Sequence, residues 1–226
     1  MRLHFLVEGP AEVTFLEALL PRLLPAHSFQ VYPHQGRGRL STDPNKEPAP
    51  TQRGLFDNLA TTLRVWGRHF DPAVDRVVVL ADVDEDDCAE LLGRLESLHK
   101  KINPRPRTIF RLAIEETEAW YLGDAAAVRK AFPEASRNKL AAWKPDRVGR
   151  TWELFQEIIG AQSEDKPGWG EAMGAVLAVD EPLERKNRSP SFRKFCRRVR
   201  EHAGEPSVSK RPSSTKTQSR RQGTRR

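Results

Sequence analysis

Asp82 and Asp84 close an unbroken apolar run, Val77-Val78-Val79-Leu80-Ala81, and are the residues of this chain best placed to do chemistry. Five apolar residues in a row, three of them β-branched, predict a strand buried on both faces. In open α/β sheets, ligands bind beyond the C-terminal ends of such strands. Acids two residues apart on an extended backbone point the same way, so this pair would meet a cation together. Oxygen-only ligation suits Mg2+ or Mn2+, with water and phosphate oxygens filling the remaining positions. Phosphoryl transfer is the chemistry such a centre serves best, since the metal neutralises phosphate and activates water.

More acids fall at the ends of other predicted strands. Glu8 follows the apolar run ending at Val7, and Glu115, Glu116 and Glu118 follow the run ending at Ile114. In a parallel sheet these ends open on one edge, where gathered carboxylates repel one another unless a cation compensates. Each has a plainer alternative. Glu8 suits the N-terminus of a following helix, the Asp pair suits a polar turn, and Glu12 suits an exposed helix face. Asp86 and Asp87 read better as N-cap and first-turn acids of a third helix. Glu116 and Glu118 share a face only on extended backbone; in a helix Glu115 and Glu118 would pair instead.

The elements that must position these residues alternate. Strands are predicted at 2–7, 29–32, 76–81 and 108–114. Between them lie helices marked by Phe15, Leu16, Leu19, Leu20 and Leu23, then by Leu55, Leu59, Leu63 and Trp66, then by Leu91, Leu92, Leu95 and Leu98. That pattern predicts an α/β core to about residue 123, a parallel, mostly four-stranded sheet with helices on both faces. A helical extension is expected over 124–203, with helices at 125–131, 152–159, 172–179 and 192–202 after a first one at 116–121. The Gly/Pro-rich stretch from Pro33 to about Thr51 is long enough to be functional or disordered.

Charge is concentrated at the end of the chain. From Glu205 to Arg226 seven basic residues, among them Lys210 and Arg211, face Glu205 alone, which is +6 of the net +7 and leaves the rest at +1. Residues 204–226 also have almost no apolar side chains, so a disordered basic tail is expected, either gripping phosphates without regard to sequence or only aiding solubility. Arg37 and Arg39, in His34-Gln35-Gly36-Arg37-Gly38-Arg39, could meet a phosphate, although no Walker lysine stands nearby and a solvated loop explains them as well. On the last helix Arg193, Lys194, Arg197, Arg198 and Arg200 ring a face left by Phe192 and Phe195; a surface for nucleic acid and a merely solvated one fit equally. The five Trp residues read as helix packing. Cys88 and Cys196 are too few for a disulfide framework, and with no apolar run of membrane length a reducing cytoplasm is the expected compartment.

Glu8-Gly9 after the first strand and Asp82-Val83-Asp84 after a later one resemble the Toprim domain of topoisomerases, primases and OLD-type nucleases. Leu6-Val7-Glu8-Gly9-Pro10-Ala11-Glu12 looks like the EGxxE form of the last group. More of the chain, roughly 3–200, resembles a bacterial family regarded as Toprim-like, domain of unknown function forty-two seventy-six. Its matching pieces include Leu80 to Asp84 with Asp87-Cys88, Ala113 to Asp124, and Ser189-Pro190-Ser191-Phe192. The resemblance implies a Mg2+-dependent nuclease site: Glu8 as general acid/base or metal contact, Glu12 as second acid, Asp82 and Asp84 as metal ligands, Glu116 and Glu118 as a third acidic motif. It also implies a partner ATPase in a bacterial defence setting, by analogy. Two rivals stand beside it: a non-catalytic Toprim-like module that binds nucleic acid or an ATPase, and a small-molecule phosphotransferase or phosphatase using Asp-x-Asp. Against the latter, Glu85 and Asp86 stand where a haloacid-dehalogenase-like site would want a hydroxyl.

Overall fold

Apolar runs too short for helices and too continuous for a half-exposed sheet become the interior strands of a parallel sheet. The computed structural model describes residues 1–83, 86–114, 116–145 and 149–206. Strands β1 (Arg2–Val7), β2 (Ser28–Pro33), β3 (Asp75–Asp82) and β4 (Thr108–Ala113) lie in the order β2-β1-β3-β4, every pair parallel. β1 and β3 are buried along nearly their whole length, whereas the edge strand β2 is at most half-buried. Helices α1 (Pro10–Leu23), α2 (Leu55–His69) and α3 (Cys88–Lys101) make the crossovers. The chain moves from β1 outward to β2, then crosses back to β3 on the other side of β1. The β1–β3 crevice is therefore the topological switch point, where open α/β sheets hold their ligands.

Alternation along the strands divides the core in two. Val77, Val79 and Ala81 face α2 and α3, with Leu55, Leu59, Leu63, Leu91, Leu95 and Leu98. Val78 and Leu80 face the other way, onto α1 and the later helices: α4 (Glu118–Leu122), α5 (Ala125–Ala131), α6 (Arg137–Ala142), α7 (Thr151–Ile159), α8 (Lys166–Val176) and α9 (Pro190–His202). On that face Phe5, Phe15, Leu19, Trp120, Phe155, Met173 and Phe192 belong to one apolar cluster, so residues on both sides of position 123 share a core.

α8 lies against α1 with almost nothing between the backbones. A Cβ on Gly174 would stand 2.4 Å from the Phe15 carbonyl oxygen. Thr14 Oγ1 donates to the Pro167 carbonyl at 2.7 Å, and an Arg22 guanidinium N–H donates to the Gly174 carbonyl at 2.9 Å.

Strand positions expected from the sequence hold to within two residues at each end, and the apolar stripe foreseen for α1 is the one buried. Three helices differ. α6 was not anticipated, because its six residues offer only Leu140 to the core. α4 begins at Glu118 rather than 116, behind an N-cap at Thr117. α8 begins at Lys166, six residues before the expected start, because Pro167, Gly168 and Gly170 look like a loop. Asp165 nonetheless accepts the Gly168 N–H and caps a helix whose first turn tolerates proline. Among the described residues no helix is long and apolar enough to cross a membrane.

Candidate acidic site at the sheet edge

β1 ends where Gly9 N-caps α1. The Gly9 N–H donates to Glu12 Oε2 at 2.9 Å, which draws Glu12 back over the strand end. Glu8 Oε1 reaches across the crevice and accepts the Asp82 backbone N–H at 2.9 Å. The Glu8 carboxylate thus reaches from the end of β1 to the backbone at the end of β3, at the switch point. Asp82 keeps the parity of Val78 and Leu80 and so faces the α1 side of the sheet. Asp84, the second acid of its pair, lies outside the described residues.

The third acidic group arrives from β4. Thr117 Oγ1 donates to Glu12 Oε1 at 3.3 Å, tying the start of α4 to the first turn of α1. Glu118 is 3% exposed. Glu116 precedes the helix, and its Oε2 accepts the Trp152 N–H at 3.0 Å, at the N-terminus of α7, where the helix dipole favours an anion. Glu116 lies outside α4 and Glu118 inside it, and Glu115, the alternative partner of Glu118, lies outside the described residues.

Their electrostatics record crowding. Asp82 is held well above the usual carboxylate range, first by loss of solvent and then by the charges of Glu12, Glu8, Glu118 and Glu116. Burial pushes Glu118 up to about 7, with Glu116 and Glu12 adding to the rise and Lys166 opposing it. Burial also raises Glu12, against the pull of the Gly9 and Thr117 hydrogen bonds and of Lys166. The Tyr121 phenol, 2% exposed, is pushed well up by burial and by Glu118, Glu12 and Asp82, so it stays neutral.

Lys166 is the residue the sequence reading missed. Its Nζ lies 3.7 Å from Glu116 Oε1 and 4.7 Å from the centre of the Trp152 ring. It stands on the first turn of α8, whose start lies six residues before the one expected from the sequence. The available signal was Asp165-Lys166-Pro167, an N-cap acid before a first-turn proline.

An all-oxygen donor set with surplus negative charge is the chemistry a hard divalent ion answers. Glu8, Asp82, Glu12, Glu116 and Glu118 supply it here. Among the described residues, however, no three Asp, Glu, His or Cys side chains stand together at the spacing one ion requires.

The basic candidates fall in two places. Arg37 donates to the Val83 carbonyl at 3.1 Å and to Asp86 Oδ2 at 2.6 Å, which fastens the 33–54 loop to the segment after β3. Asp86 is thus taken by Arg37, while Asp87 alone caps α3 by accepting from Ala89 and Glu90. Arg39 is exposed, and its backbone N–H donates to Asp57 Oδ1 at 3.0 Å. On α9, Lys194, Arg197 and Arg198 are exposed, while Arg193 donates to the Asn187 carbonyl at 3.1 Å. Lys210 and Arg211 lie outside the described residues.

Compared with known families, residues 7–200 match the model described as Domain of unknown function (DUF4276). No curated protein and no solved structure matches the chain.

Proposed function

We propose that this chain, which belongs to the DUF4276 family, is a metal-dependent, Toprim-like nuclease that cleaves phosphodiester bonds of nucleic acid at the β1–β3 crevice. One observation carries this reading: the Glu8 carboxylate accepts the Asp82 backbone N–H across the switch point, and the charges of Glu8, Glu12, Glu116 and Glu118 all act on the Asp82 carboxyl. Glu8, Asp82 and, from the sequence, Asp84 would hold Mg2+ or Mn2+, with Glu116 and Glu118 flanking. A bound divalent ion would neutralise the scissile phosphate and lower the pKa of attacking water. Glu8 and Glu12 are the candidate proton-handling acids, Glu12 held in place by Gly9 and Thr117. Lys166 offers a positive charge to a phosphate oxygen at the rim. A partner ATPase and a cytoplasmic setting complete the proposal.

Lys166 also favours a second reading. An ammonium already lodged beside Glu116 compensates part of the acidic charge, as a non-catalytic relative that binds nucleic acid or an ATPase would need. Supercoiled plasmid incubated with the full chain and Mn2+ separates the two. A nuclease nicks the plasmid, and Asp82→Ala slows nicking by about a hundredfold or more. Nicking that persists in Asp82→Ala removes the site from the reaction. Plasmid binding without nicking supports the second reading.

A further inference from the structure

β4 is the edge strand of the sheet, and along it runs a groove of about 670 Å³ between α3 and α9. Five cations line it, Lys100, Arg111, Lys194, Arg197 and Arg198, against the single carboxylate of Glu96. Arg198 shares its charge with Glu201 on its own helix, at 2.8 Å. His99 makes its ring hydrogen bond to the Pro106 carbonyl, and burial lowers its pKa.

Arg111 is the unusual member. It occupies an inward register between Ile109 and Ala113, which pack against the core on the α9 side, yet it is an arginine and only 8% exposed. Among the described residues no carboxylate or carbonyl accepts from its guanidinium. Burial, then Arg198 and Arg197, disfavour its charge, with Cys88 and Glu96 opposing them in part. The guanidinium opens into the groove, where three neighbouring cations favour an anion between them. A guanidinium fork in a cationic groove is matched to phosphate oxygens.

We infer that this groove carries the phosphate backbone of a nucleic acid, with Arg111 seated under a phosphate and Lys100, Lys194 and Arg197 along its flanks. The inference rests on the nuclease reading for its choice of ligand and extends it to the path the strand takes. Register supports that path. Arg111 pairs with Leu80, and Ala113 pairs with Asp82, so Arg111 and the acidic site lie two rungs apart on the same face. Two rungs span about 7 Å, roughly two base-pair rises along the axis of a duplex.

Binding of fluorescently labelled single- and double-stranded DNA, followed by anisotropy in EDTA over a range of salt, tests the groove without requiring cleavage. Arg111→Gln and Arg197→Glu should each weaken binding by about tenfold at low salt, and each neutralised contact should flatten the log–log salt slope by about 0.9. Arg197→Glu lies on an exposed helix face and keeps the test valid if Arg111→Gln fails to fold. Wild-type binding and slope in both groove variants, or a wild type that binds neither DNA, overturns the inference. Groove-dependent binding with no cleavage leaves it standing and removes the nuclease reading; cleavage with groove-independent binding does the reverse.

Discussion

Glu118 shows what the site asks of its residues. It is buried between two other glutamates, with Lys166 as its main electrostatic relief, and it titrates near 7 instead of its ordinary 4.5. The folded chain therefore binds this proton more tightly than the unfolded chain. Between those two values the unfolded state has released the proton and the folded state has not, so the metal-free protein loses stability as pH rises through the window. The loss amounts to about 3 kcal/mol by about pH 8. Glu118→Gln should raise the metal-free Tm by about 5 °C or more at about pH 8 and change it little at about pH 5. Equal thermal shifts at both pH values would show that Glu118 does not carry that strain. At this scale the acids were legible, because each follows an apolar run and strand ends are functional places in parallel sheets. Lys166 and Thr117 were not, since what matters about them is a contact with an element distant in sequence. Arg37 was legible as a cation, but not as a fastener of the 33–54 loop, which only the path of the 33–54 backbone reveals.

At the scale of elements, the pieces of sequence that carry the family resemblance turn out to dock on one another. Trp120, fully buried, donates its indole N–H to Ser191 Oγ at 2.8 Å, and Asn187 Nδ2 donates to the Trp120 carbonyl at 2.9 Å. Gly123 is where these segments touch: a Cβ there would stand 2.1 Å from Asn187 Oδ1. Asp124 caps α5 and also accepts the Ala178 N–H. The Ala113–Asp124 and Ser189–Phe192 segments are thus partners in packing, and they hold Glu116 and Glu118 at the sheet edge from behind. α8 performs the corresponding service for Lys166 through its contact with α1. Gly174→Val should force those helices apart, lowering stability by about 3 kcal/mol in urea denaturation. Gly93→Ala on α3, where an added methyl meets nothing within 4 Å, should instead be neutral or stabilising by about 1 kcal/mol. A Gly174→Val chain as stable as the wild type would contradict the close helix contact. Strands and long helices could be read because hydrophobic periodicity defines them. The start of α8 could not, because proline and glycine serve helix starts and close packing as readily as loops.

The whole molecule divides its work by face and by edge. α2 and α3 cover one side of the sheet with a simple apolar layer, while α1 and the helices after β4 cover the other with a single larger core. That second layer brings Thr117, Glu118 and Lys166 to the switch point, so the helices after position 123 are part of how the site is built. Parallel topology was readable from the β/α alternation, and with it the expectation that acids from separate strands would share an edge. Burial and the charges of Glu12, Glu8, Glu118 and Glu116 hold the proton of Asp82 on, and the proposed divalent cation is the partner that would relieve that crowding. The most direct test is Mn2+ binding to the full chain at neutral pH, measured by titration calorimetry for the wild type and for Asp82→Asn. The proposed site predicts saturable binding by the wild type and affinity weaker by about tenfold or more in Asp82→Asn, with the fold intact. Indistinguishable Mn2+ binding by the two, or none by the wild type, would contradict it.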